Sequence, residues 1–87
     1  MNVRFTSAAH RELAEAVEYY EDRQSELGNR FLHAVEACAR RIEQYPVMWA
    51  KVSPRIRRCI VHGFPFALFY HPGDDEILIR RRRRPAT

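Results

Sequence analysis

The chain is predicted to be α+β: a β-α-α-β-β-β unit in which an N-terminal helical hairpin packs on one face of a small antiparallel sheet. Three observations predict it. Two stretches, 8–24 and 26–45, repeat apolar residues at helical spacing with almost nothing between them. Three short apolar runs follow, 59–61, 66–70 and 77–79, separated by Gly63-Phe64-Pro65 and by Pro72-Gly73-Asp74-Asp75, the punctuation of a strand meander. A length of 87 residues allows one domain, 1–87, with a thin core.

Asn2 to Phe5 alternates polar and apolar side chains and reads as a first strand. Thr6 or Ser7 then supplies the cap oxygen for a helix. Ala9, Leu13, Ala16, Val17 and Tyr20 share one face of it, and Glu12, Glu15, Glu18 and Asp22 make its exterior acidic. Tyr19 falls at the margin of the stripe, with its hydroxyl in water. A second helix starts at Ser25 or Glu26 and buries Leu27, Phe31, Ala34, Val35, Cys38, Ile42 and Tyr45. Pro46 stops it, and the short link makes the pair antiparallel. Gly28 marks a close approach of the two helices. The stretch 46–54 has no period and two prolines, so it reads as a loop anchored by Trp49.

In the strand that follows, alternation places Ile56, Arg58, Ile60 and His62 on one face and Arg57, Cys59 and Val61 on the other. A helical hairpin covers only one face of a sheet, which leaves the other open. Charge is divided the same way. Residues 1–54 carry seven basic and eight acidic side chains, whereas 55–87 carry eight Arg against three acids, so the sheet half holds the positive charge. A basic surface with aromatics suits RNA, a nucleoprotein complex or an acidic peptide. The run Arg80 to Arg84 reads as a solvated basic tail over 80–87 or as a patch for nucleic acid.

Several classes of function are disfavoured. The N-terminus has no apolar signal region and no window reaches the ~18 apolar residues of a span, so no membrane partner is expected and the location is read as cytoplasmic. Cys38 and Cys59, far apart and outside any CxxC, are expected as buried free thiols. His10, His33, His62 and His71 are scattered and fit no metal-ligand spacing, so neither metal nor cofactor is expected. What remains for catalysis is metal-free RNA cleavage, which needs a base, an acid and cations for the phosphorane. His62, His71 and Tyr70 are the candidates for the first two roles, and Arg57, Arg58 and Arg80 for the third.

Taken in order, Val3 and Phe5 with Ala9, Leu13 and Ala16; Tyr19-Tyr20-Glu21; Leu27-Gly28 with Arg30-Phe31; Pro46 with Trp49; Ile56-Arg57-Arg58; Phe64-Pro65-Phe66; Tyr70; and Asp75 with Ile77 and Ile79 resemble the ParE/RelE toxin superfamily of bacterial toxin-antitoxin modules. The set is most similar to the ParE, or plasmid stabilisation, branch. That resemblance implies the type II toxin-antitoxin fold already described and a cognate antitoxin encoded by the adjacent gene, in a heterotetramer or larger assembly. It implies DNA gyrase as target, and hence a poison rather than an enzyme. The RelE alternative is a ribosome-dependent mRNA endoribonuclease, for which the catalytic candidates are Arg57, Arg58, Tyr70, His71 and Arg80. Target contacts are expected at Arg57, Arg58, Arg80, Arg81 and Arg82, and antitoxin contacts at Leu13, Val17, Tyr20, Phe31, Trp49 and Arg57. The chain departs from the family at its tail, where Ile79 passes directly into arginines and the usual closing His or Tyr is missing. That departure weakens the ribonuclease reading and leaves a third, an attenuated homologue that only binds antitoxin.

Overall fold

Thr6 sets the start of the first helix: its extended backbone turns the chain and its Oγ1 accepts the Ala9 N–H at 3.1 Å. The computed structural model describes residues 2–81. In chain order the elements are β1 (Arg4–Phe5), α1 (Ser7–Arg23), α2 (Leu27–Gln44), β2 (Ala50–Lys51), β3 (Arg57–Ile60), β4 (Phe66–Tyr70) and β5 (Glu76–Arg81). The strands form one sheet in the order β1-β5-β4-β3-β2.

The sheet is mixed rather than wholly antiparallel. β2 to β5 pair antiparallel, but β1 runs parallel to β5, with Arg4 opposite Glu76 and Phe5 opposite Ile77. The hairpin carries the chain from one edge of the sheet to the other, and the meander walks back until its last strand lies beside the first. A strand reached by such a crossover pairs parallel. The stretch 46–54, expected as loop, contributes β2, which pairs Ala50 with Arg58 and Lys51 with Arg57. β5 runs on through Arg81, so the first two residues of the arginine run belong to the sheet. Arg82 to Arg84 lie outside the described residues.

α2 presents Phe31, Val35, Cys38 and Ile42 to the sheet at spacings of four, three and four, each with no exposed surface. Cys59, Val61, Leu68, Tyr70, Ile77 and Ile79 meet them from the sheet face, and Ala9 and Ala16 close the α1 side. Tyr45 leaves the stripe. As the C-cap residue before Pro46 it has left helical geometry and is 56% exposed.

The hairpin turn depends on Glu21. Its Oε2 accepts the Glu26 N–H at 2.9 Å and its Oε1 accepts the Gly28 N–H at 3.0 Å, so one carboxylate satisfies two orphan donors at the α2 N-terminus. Glu26 itself sits in the left-handed region at φ 72, a costly conformation for a non-glycine. At Gly28 an added Cβ would lie 2.7 Å from the Val17 carbonyl oxygen, so the helices do meet there. Gly28→Ala is therefore expected to destabilise despite the helix preference for Ala of up to about 1 kcal/mol. Overpacking against backbone costs typically about 1–3 kcal/mol, which a lowered urea midpoint with unchanged m-value will reveal.

Candidate functional site

The open face of the sheet is built by the residues that alternate with the core. On β3 these are Arg58 and Ile60, on β4 Ala67 and Phe69, and on β5 Glu76, Leu78 and Arg80. Register sets Arg58 opposite Phe69, Phe69 opposite Leu78, and Ala67 opposite Arg80. The result is an apolar strip with an arginine at each side. Ile60 and Leu78 keep 41% and 38% of their surface in water, high for aliphatic residues in a sheet. Ile56, Phe69 and Leu78 floor a hollow of about 430 Å³ whose rim includes His71, Glu76 and Arg80.

The arginines divide between faces. Arg57 points to the helix side, where its Nη1 donates to the Trp49 carbonyl oxygen at 2.8 Å and ties β3 to the loop before β2. Arg81 also turns to the helix side, beside Tyr19, Tyr20 and Phe66. Arg80 turns to the open face and reaches Glu12 at 3.6 Å, an exposed bridge of the kind worth about 0–1 kcal/mol. Of the five expected target contacts, Arg58 and Arg80 share the open face, Arg57 and Arg81 do not, and Arg82 lies outside the described residues.

Of the ribonuclease candidates, Tyr70, His71 and Arg80 border one hollow, whereas Arg57 lies on the helix side and Arg58 outside its lining. Tyr70 borders the hollow but is 2% exposed, and its hydroxyl donates to the Pro46 carbonyl oxygen at 2.7 Å. Burial pushes it up to about 12, with the neighbouring Arg57 cation pulling the other way. Its role is to lock the end of α2 to the sheet. His71 lies in the β4–β5 turn, where its Nδ1 accepts the Gly73 N–H at 3.0 Å, and His62 lies exposed in the β3–β4 turn. Among the described residues no group of three or more His, Cys, Asp or Glu could hold a metal ion, and no helix is long and apolar enough to cross a membrane.

The Tyr70 shift makes a pH prediction. A phenol whose folded value exceeds its unfolded value of 10.0 contributes stability that is complete below pH 10 and lost as pH rises toward 12. Alkaline difference spectroscopy should show a tyrosine step displaced upward toward pH 12, and Tyr70→Phe should remove that late step. A Tyr70 that ionises together with exposed tyrosines would contradict its burial.

The residues expected at an antitoxin interface occupy three places. Leu13 and Val17 are half-buried along a shallow groove with Leu32 and the acidic Glu18, Glu21 and Asp22. Tyr20 and Phe31 belong to an aromatic cluster with Phe64 and Phe66, ring centroids 5.0 to 6.4 Å apart. Phe31 has no exposed surface, so it is a core residue and offers a partner nothing to touch. Trp49 and Arg57 lie together at the β2 edge, where the Trp49 indole N–H donates to the Arg41 carbonyl oxygen at 3.3 Å. Sequence reasoning did not single out the exposed Val47, Met48 and Val52, at 66%, 62% and 45%. Their signal was apolar residues in a stretch with no period, beside Lys51 and Arg55.

A helical hairpin laid on one face of a small mixed sheet, with arginines and apolar side chains on the opposite face, defines a small protein of the α+β class. The model of the family described as ParE toxin of type II toxin-antitoxin system, parDE, matches residues 3–84, and the chain belongs to that family. Among solved structures, the chromosomal ParDE TA system from P. aeruginosa superposes with a TM-score of 0.63 at 17% identity, covering 95% of this chain and 97% of that one. That likeness is one of fold. No curated protein matches the sequence significantly.

Proposed function

We propose that the protein inhibits DNA gyrase in the cytoplasm and is held inactive by a cognate antitoxin, with the open sheet face as the target surface. The observation that carries this is the apolar strip of Ile60, Phe69 and Leu78 between Arg58 and Arg80, which suits a protein surface bearing acidic groups. Tyr70, one of the candidate acids or bases, donates its hydroxyl to the Pro46 carbonyl oxygen, which favours binding over catalysis. Purified protein is expected to block supercoiling by gyrase or to trap its cleaved DNA. No effect at saturating protein would overturn the reading.

The second reading, ribosome-dependent cleavage of mRNA, is favoured by His71 and Arg80 on the rim of one hollow. Mapping mRNA ends on stalled ribosomes separates the two, because gyrase inhibition leaves message intact. For the antitoxin, the three separate clusters favour an extended partner segment that crosses the groove at Leu13 and Val17, passes Tyr20, and reaches Trp49 and Arg57. Binding to folded toxin alone should raise its melting temperature with the logarithm of the free antitoxin concentration above Kd.

A further inference from the structure

Cys38 of α2 and Cys59 of β3 meet inside the helix–sheet interface, 0% and 2% exposed. The Cys38 Sγ donates toward the Cys59 carbonyl oxygen at 3.5 Å and that of Ile60 at 3.7 Å, and the two thiols are close enough to perturb each other's ionisation. Arg41, three residues on along α2, directs its Nη2 to the Ile60 carbonyl oxygen at 3.5 Å, and its cation acts on both thiols. Arg41, Trp49, Arg58 and Ile60 line a hollow of about 340 Å³ whose wall includes Cys59 but not Cys38, so Cys59 is the member of the pair nearer to solvent. A pair of cysteines kept only for packing needs neither the cation nor the opening.

We propose that Cys38 and Cys59 are a peroxide-reactive modification site that closes to a disulfide between α2 and β3. The two sulfurs are unequal. The neighbouring Cys38 thiol, followed by the Arg41 cation, holds Cys59 down to about 7 against the effect of burial, while the Cys59 neighbour and burial push Cys38 up. The other ionisable groups at the pair are Arg58 in the hollow and Tyr70 on β4, whose phenol is held neutral by burial. Because Cys59 borders the hollow beside Arg41 and Cys38 does not, Cys59 is the nucleophile and Cys38 the resolving thiol.

In the first step the Cys59 thiolate attacks one oxygen of hydrogen peroxide. The O–O bond breaks, Cys59 becomes a sulfenic acid, and the departing hydroxide takes a proton to leave as water. In the second, Cys38 Sγ attacks Cys59 Sγ, the S–O bond breaks, and the Cys38 proton leaves with the hydroxyl as a second water. Two thiols have given up two electrons and two protons, and one peroxide has become two waters. Cys38 must release the carbonyls to reach the sulfur spacing of about 2.05 Å. A small dithiol reverses the bridge by exchange. The bridge joins residues 21 apart in sequence and clamps the hairpin onto the sheet.

The test is peroxide treatment of the intact protein, followed by alkylation in denaturant and intact-mass measurement. The expected product has lost two hydrogens, takes no alkyl group, remains monomeric, and returns to two alkylated thiols after dithiothreitol. Cys38→Ser should instead leave a Cys59 sulfenic acid that dimedone traps. Arg41→Gln should slow the peroxide reaction about tenfold, since thiolate fraction falls faster than nucleophilicity rises, and Arg41→Lys should restore most of the rate. A wild-type rate no greater than that of free cysteine overturns the proposal, as does a product linked between molecules. Equal rates for Arg41→Gln and wild type would remove the role assigned to Arg41.

Discussion

Phe31→Ala is expected to cost about 3–5 kcal/mol, the range for truncating a fully buried aromatic. The ring has no exposed surface and meets Tyr20, Phe64 and Phe66 at centroid distances of 5.0 to 5.1 Å. It therefore joins both helices to the β3–β4 turn, and its loss leaves a void that three other rings cannot all fill. At roughly 0.05–0.15 kcal/mol per residue, a domain of this size holds only about 4–13 kcal/mol in all. One truncation thus removes a large share. The check is a urea titration in which Phe31→Leu, which keeps part of the volume, falls between the variant and wild type. A shift below about 1 kcal/mol for Phe31→Ala would mean that the aromatic cluster does not carry the core, since typical surface changes lie within about 0.5 kcal/mol. Because excess antitoxin stabilises the folded form by mass action, its addition should recover part of the loss. Recovery would also show that Phe31 acts through folding rather than through contact.

The helices and the three long strands were legible because each has a period that only one packing satisfies. Phe31, Val35, Cys38 and Ile42 mark one side of a helix, and Leu68, Ile77 and Ile79 mark one side of a sheet. β1 and β2, at two residues each, carry too little pattern to state a partner, so neither the parallel pairing of Arg4 and Phe5 nor the strand at Ala50 could be read. The recognisable Tyr19-Tyr20-Glu21 stretch proves to have structural duties. Tyr20 fills the aromatic cluster, Glu21 caps α2, and Tyr19 stands exposed with the Arg23 guanidinium 4.4 Å from its ring centroid. Alternation correctly separated Arg57 from Arg58, but it could not say which faced the hairpin. That was settled by Cys59 and Val61, whose burial takes Arg57 with them. A short polar or charged residue, such as Glu21, reveals nothing of its partners until the chain has brought backbone donors to it.

Reversing both open-face arginines, Arg58→Glu with Arg80→Glu, is expected to abolish action on the target while leaving the fold intact. Arg80 is exposed and loses only its bridge to Glu12, and among the described residues the Arg58 side chain has no hydrogen-bond partner, so the change in melting temperature should be small. At an interface the same arginines border Phe69 and Leu78, where a partner excludes water and charge counts for more. Losing one desolvated, hydrogen-bonded charge costs typically about 2–5 kcal/mol, so reversing two should weaken inhibition by at least about a hundredfold. Two controls divide the outcomes. Arg57→Gln loses the bond to the Trp49 carbonyl and should reduce stability first, because that side chain serves the β2 edge on the other face. Arg40→Glu changes the charge by as much per residue at an exposed position on α2, on the opposite side of the sheet, and should leave activity unchanged, which separates a local contact from net charge. If the double reversal inhibits as well as wild type, the open face is not the target surface. Arg81, beside Tyr19 and Tyr20 on the helix side, would then be the next position to reverse.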